Sequence, residues 1–227
     1  MSEVAVARLP NRFAPGDKTH PSLPGFTRIN VSSSSRQWSR GLSPMSAASA
    51  GSYLGQEATC FENLWQGGKL YDFHLTPFFP DRKGVLPEFF TRRDQMCADP
   101  QPHRRSYPKA RGVPVSSLYD GVVYDYLSSR CLLYCPLYAD WVQTTPAWAQ
   151  LRALREPVLL VGYDGRDVEM TPENMVKEVL RTDAPFGHEL VVACLLKGWA
   201  PWSCEEVMKR VVRTPGTDER WPTVSLL

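Results

Sequence analysis

Proline is the strongest constraint on this chain: 20 of its 227 residues are proline, against a usual share near 5 %. Each proline lacks an amide hydrogen and fixes its own φ, so it interrupts helix interiors and is excluded from central strands. Seven of them, Pro77, Pro80, Pro87, Pro100, Pro102, Pro108 and Pro114, fall between residues 77 and 114. That stretch reads as a long irregular excursion with room for one helix, near residues 86–95, and long ordered loops are often functional. Later prolines divide the rest of the chain into short elements. Residues 116–141 place Leu118, Val122, Tyr126 and Ser129 at helical spacing, with Ser116 or Ser117 as N-cap, and the spacing predicts a helix ending by Pro136. A short helix over 147–155 stops at Pro157, and the apolar run at 158–163, closed by Asp164 and Gly165, predicts a buried strand. Thr171, Pro172 and Glu173 form a helix start, and that helix reaches about residue 182. A core helix over 189–197 with Gly198 as its C-cap and a last helix over 203–213 complete the pattern.

The resulting fold class is α+β and α-rich: a single domain over residues 37–213 with one or two short strands and long proline-rich loops. Residues 1–36, with the run Ser32 to Ser35, have little apolar periodicity and read as a flexible leader, and 214–227 as a polar tail. Hydrophobic residues at 43 % and charged residues at 22 % exclude a disordered or fibrous chain. No apolar run approaches the ~18 residues of a membrane span, and the first residues lack a secretory pattern, so the expected setting is intracellular, cytoplasmic or nuclear, with no membrane partner. A net charge of +2 excludes a polycation. Nucleic-acid contact is left to local patches. The six cysteines contain no C-x-x-C pair. Cys131 and Cys135 are spaced i, i+4 without a second ligand pair, so neither a metal nor a cofactor is expected.

The segment richest in chemistry is residues 57–71. In a helix, Glu62, Trp65, Gln66 and Lys69 stand at i, i+3, i+4 and i+7, which lines up a carboxylate, an indole, an amide and an amine. They can converge on one small molecule. Glutamate and lysine two turns apart are also the ordinary make-up of a solvated face, but Phe61 and Trp65 are poor choices for one. Gly67 and Gly68 cost about 1 kcal/mol each against alanine in a helix. Such a pair predicts either a close approach of another group or a helix that ends early.

The run Glu62, three residues, Gln66, two residues, Lys69, with aromatic Tyr71 two residues on, resembles the E-x-x-x-Q-x-x-K helix of the NADAR superfamily, the NAD- and ADP-ribose-associated proteins that include YbiA-like N-glycosidases. Upstream, Arg40, Gly41, Leu42, Ser43 and Pro44 are similar to that family's polar entry segment. Asn63 stands where the family often has histidine. The resemblance implies cleavage of the N-glycosidic bond of an ADP-ribosyl or phosphoribosyl compound, including an ADP-ribosylated nucleobase. It assigns Lys69 as nucleophile and Glu62 as acid/base, with Gln66, Trp65, Asn63, Tyr71, Arg40 and Ser43 at the substrate.

Phe186-Gly187-His188 precedes the core helix, where glycine lets a phosphate approach the helix N-terminus and puts Gly187 and His188 among the candidate binding residues. A structural cap with a buried histidine is the competing interpretation. Asp164-Gly165-Arg166 reads as a turn. Arg92, Arg93, Arg104, Arg105, Lys109 and Arg111, interleaved with aromatic residues, form a basic loop able to contact a phosphate backbone. The alternative function is therefore a non-catalytic nucleic-acid-binding or scaffold protein that works through residues 89–111.

Overall fold

The computed structural model describes residues 3–10, 21–75 and 85–211. Its centre is β8 (Val158–Gly162), whose five residues are all buried. An apolar strand of this kind belongs inside a sheet covered on both faces. Strand β1 (Val4–Arg8) pairs parallel with one edge of β8 and β2 (Thr27–Asn30) with the other, giving the order β1-β8-β2. The leader expected over residues 1–36 is thus corrected: two pieces of it are sheet strands that bury Val4, Val6 and Ile29. The expected polar tail lies outside the described residues.

Two further sheets are antiparallel. The hairpin β3 (Gly51–Tyr53) and β4 (Gln56–Ala58) leads into α1 (Phe61–Gly67). Strand β5 (Lys69–Leu70) then joins β6 (Ser116–Tyr119), and β6 joins β7 (Val122–Tyr124). Between β5 and β6 runs α2 (Pro87–Ala98), the helix predicted inside the proline-rich excursion. The fold class is α+β and α-rich, as the pattern predicts. The described residues contain eight strands in place of the one or two expected.

The helix predicted from residue 116 begins ten residues later. Asp120 and Gly121 both have positive φ, 47° and 72°, the backbone of a tight hairpin turn that reverses β6 into β7. Helix α3 (Tyr126–Ser129) comes next, capped by the Asp125 carboxylate, and passes through a π-helical turn, Arg130–Tyr134, into α4 (Cys135–Gln143). Pro136 does not end the helix, because the wide turn before it absorbs the missing hydrogen bond. Helices α5 (Pro146–Ala153), α6 (Pro172–Leu180), α7 (His188–Lys197) and α8 (Glu205–Val211) stand where prolines and caps set them. Thr171 Oγ1 accepts the amide of Asn174, and Gly198 closes α7 in the left-handed region at φ 74°. Helix α7 packs on β1 and β8.

Candidate active site

Helix α1 stops at Gly67, two residues short of Lys69 at the end of the predicted stripe, because Tyr119 of β6 fills the space above it. A Cβ on Gly68 would stand 2.3 Å from the Tyr119 ring, and the Tyr119 hydroxyl donates to the Trp65 carbonyl. Gly67 faces Arg93 of α2 less tightly, with a Cβ there 3.3 Å from the Arg93 side chain. Both expectations for the glycine pair, close approach and early termination, describe what is seen. Lys69 therefore reaches the site from β5, not from the helix.

It arrives beside Glu62 nonetheless. A cavity of about 320 Å³ is lined by Glu62, Trp65, Gln66 and Lys69 on one side, with Ser43, Pro44 and Met45 adjoining. Gln66 Nε2 donates to Glu62 Oε1 at 2.7 Å, which fixes the carboxylate, and Lys69 Nζ lies 5.2 Å from the Trp65 ring centre. Trp65 is itself held by stacking on Tyr119 and by contact with Tyr134. The surface that Glu62 and Lys69 keep is cavity wall. Burial pushes the Glu62 carboxyl above its usual range, with Gln66, Lys69 and His188 pulling it back. Burial pushes the Lys69 amine below its usual range, and Arg105 adds to that while Glu62 opposes it. Opposite shifts on an acid and an amine that line one cavity mark them as candidate catalytic groups.

The opposite wall comes from sequence-distant segments. Tyr163 and Asp164 follow β8, and Phe186, Gly187 and His188 open α7. Ser32 and Ser33, from the expected leader, also line it. Arg130 reaches it from the π turn, with its guanidinium donating to the carbonyls of Val179, Arg181 and Ala184 and lying 4.5 Å from the Tyr126 ring centre. Arg104 and Arg105 stand at the mouth, Arg104 over the Tyr163 ring. The lining thus holds three guanidinium groups, Arg104, Arg105 and Arg130, against two carboxyl groups, Glu62 and Asp164.

Four candidates need correction. Asn63 is fully buried, and its amide donates to the carbonyls of Asp99 and Gln101 while its oxygen accepts the His103 amide. It anchors the loop that carries Arg104 and Arg105 and does not line the cavity. Tyr71 packs into a separate aromatic cluster with Phe73, His74 and Tyr107. Arg40 is exposed on a 3₁₀ turn whose buried residues are Ser39 and Leu42. His188 does line the cavity, but both ring nitrogens are turned to protein groups, Nε2 to the Val31 carbonyl at 2.9 Å and Nδ1 toward Glu189. Of the basic loop, Arg104 and Arg105 reach the site. Arg92 donates to the Ser106 carbonyl, Arg93 pairs with Asp94, and Arg111 covers Phe73.

Asp164 and Arg130 were missed as site residues. The position of Asp164 was legible, since ligand groups gather at the carboxyl ends of buried parallel strands, but a D-G-R turn explains the same letters. Nothing in the local sequence marks Arg130. Comparisons of the chain with protein-family models, curated proteins and solved structures return no match. Among the described residues no helix is long and apolar enough to cross a membrane.

Proposed function

We propose that the protein is an N-glycosidase of the NADAR type, cleaving the bond between a nucleobase and the ribose of an ADP-ribosyl or phosphoribosyl compound. The observation that carries this reading is that Glu62 and Lys69 line one cavity, where burial shifts the acid up and the amine down. The excess of cations over acids in the lining favours a ligand bearing phosphate, which Arg104 and Arg105 at the mouth are placed to meet. A volume near 320 Å³ is within the usual range of small-molecule sites.

The reaction is set by the two groups. The neutral Lys69 amine attacks the anomeric carbon as the bond to the base breaks, and the departing base takes the proton that the Glu62 acid gives up. The amine proton released by attack returns to the Glu62 carboxylate. The bond from that carbon to the ring oxygen then breaks, the oxygen takes up the remaining N–H proton as a hydroxyl, and an imine, a C=N bond to Lys69 Nζ, is left. Water then adds to that carbon, the bond to nitrogen breaks, and the sugar leaves as its aldehyde with Lys69 restored. Trp65 lies beside the amine, and the burial that lowers Lys69 keeps more of it in the neutral, nucleophilic form.

Borohydride reduction of the imine during turnover tests the reading. A phosphoribosyl or ADP-ribosyl N-glycoside is expected to leave a reduced sugar adduct on the peptide containing Lys69, detected by mass, and K69A is expected to lose both adduct and turnover. A K69A protein that traps sugar and turns over at the wild-type rate overturns the assignment. The scaffold alternative, binding nucleic acid through residues 89–111, has less support, since Arg92 and Arg93 are committed to protein acceptors. Oligonucleotide binding that weakens steeply with salt, unchanged in K69A and E62Q, would favour it.

A further inference from the structure

Arg130 is a side chain that the proposed reaction leaves unused. It is 2 % exposed, it opens the π turn Arg130–Tyr134, and it lines the cavity. Single π turns inside helices are rare and gather at functional sites. Burying a guanidinium is costly unless a counter-charge meets it. None does here: among the described residues, no ion pair includes Arg130.

What the protein supplies is neutral. Nη1 donates to the carbonyls of Val179 and Arg181, and Nη2 to that of Ala184, at the C-terminal end of α6 and in the turn after it. These bonds tie the helix end to the π turn, but carbonyls bring no net charge. A guanidinium has five N–H bonds, and these acceptors take three of them. Left over are the hydrogen on Nε and one on Nη2, the two nitrogens that can grip two oxygens of one anion side by side. Nε has no acceptor among the described residues, yet it is not one of the fully buried polar atoms left without a partner. The little surface that Arg130 keeps therefore includes Nε, and the space that Arg130 borders is the cavity.

We propose that Arg130 is the binding residue for a terminal phosphate: Nε and Nη2 take two oxygens of a phosphate monoester at one end of the ligand, which brings the negative charge that the protein withholds. Only the identity of the sugar that carries the phosphate rests on the N-glycosidase reading. The phosphate is terminal because a donor edge on a side chain 2 % exposed is approached from one side. A diphosphate between two sugars carries a substituent on each flank. A carboxylate fits less well, since a phosphate monoester brings about 1.5–2 negative charges near neutral pH to a lining with three guanidinium groups. It also keeps an oxygen for a further donor. Arg104 and Arg105 at the mouth meet the phosphate on its way in, and Arg130 holds it.

Titration of the full chain with ribose 5-phosphate, followed through the arginine Nε–H signals by NMR, tests this. The Arg130 signal, assigned through its own side-chain carbons, is expected to move downfield and to exchange more slowly with water as the sugar phosphate is added. Ribose and ADP-ribose, neither of which ends in a phosphate monoester, are expected to leave it in place. R130K keeps a positive charge without the paired nitrogens, and its Kd for ribose 5-phosphate is expected to rise about 10- to 100-fold. Should R130K not fold, the wild-type titration decides alone. An Arg130 signal that ribose 5-phosphate does not move, an equal response to ADP-ribose, or an R130K protein that binds as tightly as the wild type would overturn the proposal. If the signal moves as stated while no N-glycoside is hydrolysed and Lys69 takes no adduct, the reaction falls and the phosphate site stands. Hydrolysis with an Arg130 signal unmoved by ribose 5-phosphate gives the reverse.

Discussion

The side chains proposed to do the chemistry are also those the fold holds at a disadvantage. Glu62 has its pKa raised from an ordinary 4.5, so the stability it contributes is whole below that value and is lost as pH rises through the folded one. Lys69 has its pKa lowered from an ordinary 10.5, so its contribution is whole above that value and is lost as pH falls through the folded one. Neutral pH lies above the ordinary value of the one and below that of the other, so neither group contributes its whole stability there. Replacing a buried acid and base together by neutral groups of similar shape is often neutral or stabilising by about 1–4 kcal/mol, whereas removing one partner leaves the other charge unbalanced. The double variant E62Q/K69M is therefore expected to match or exceed the wild type in thermal stability at pH 7 and to be inactive. K69M alone is expected to be less stable than the double variant at pH 7 and to recover as acid protonates Glu62. Denaturant unfolding across pH 5–9 measures the cycle, and strictly additive single changes would mean that the two groups do not sense each other.

At the scale of elements, the site depends on a helix that ends on time. The letters E-x-x-x-Q-x-x-K place Lys69 on the helical stripe, yet the chain leaves the helix at Gly67 and delivers the amine from a strand. Periodicity shows which residue types share a segment; it does not show where a ring from β6 will block the next turn. Signals carried by neighbouring residues were legible, as with Thr171-Pro172 at the start of α6 and Gly198 at the end of α7. The turn at Asp120-Gly121 lies within a helical spacing that happens to run through a hairpin, and the spacing alone gives no sign of it. Gly68 is where this logic can be tested, because its φ of −77° suits any residue and the obstacle is Tyr119 alone. G68A should force the ring aside, weaken its stacking on Trp65 and move Lys69, destabilising by about 1–3 kcal/mol as overpacked sites do. A G68A protein with wild-type stability and turnover would show that Tyr119 does not terminate the helix. A paired G68A/Y119A variant, with the ring removed, should regain part of the loss.

For the molecule as a whole, the part least visible in the sequence is the sheet that ties the first described residues to β8. Strands β1 and β2 meet β8 across some 130 to 150 intervening positions, from Thr27 against Val158 to Val4 against the same residue. Pairing at that distance leaves no local pattern, and four- or five-residue strands among prolines and serines look like loose chain. Their consequence for the site is direct. The Ala7 carbonyl is 2.3 Å from where a Cβ on Gly165 would stand, so β1 presses on the turn that presents Asp164. Removing residues 1–10 would strip one edge from β8, leaving the amide of Val158 without the Glu3 carbonyl and the Gly162 carbonyl without the Leu9 amide. Exposing what Val4 and Val6 cover costs about 1.5–3 kcal/mol for each such side chain, and the lost ladder adds to it. Set against a total stability of about 5–15 kcal/mol for a domain, that is enough to abolish cooperative folding or bring the unfolding midpoint close to ambient temperature. Circular dichroism and thermal unfolding of the truncated chain measure it. A flexible leader would be dispensable, so a truncated protein with an unchanged midpoint and an intact Lys69 adduct would return these residues to that role and leave Asp164 to be positioned by β8 alone.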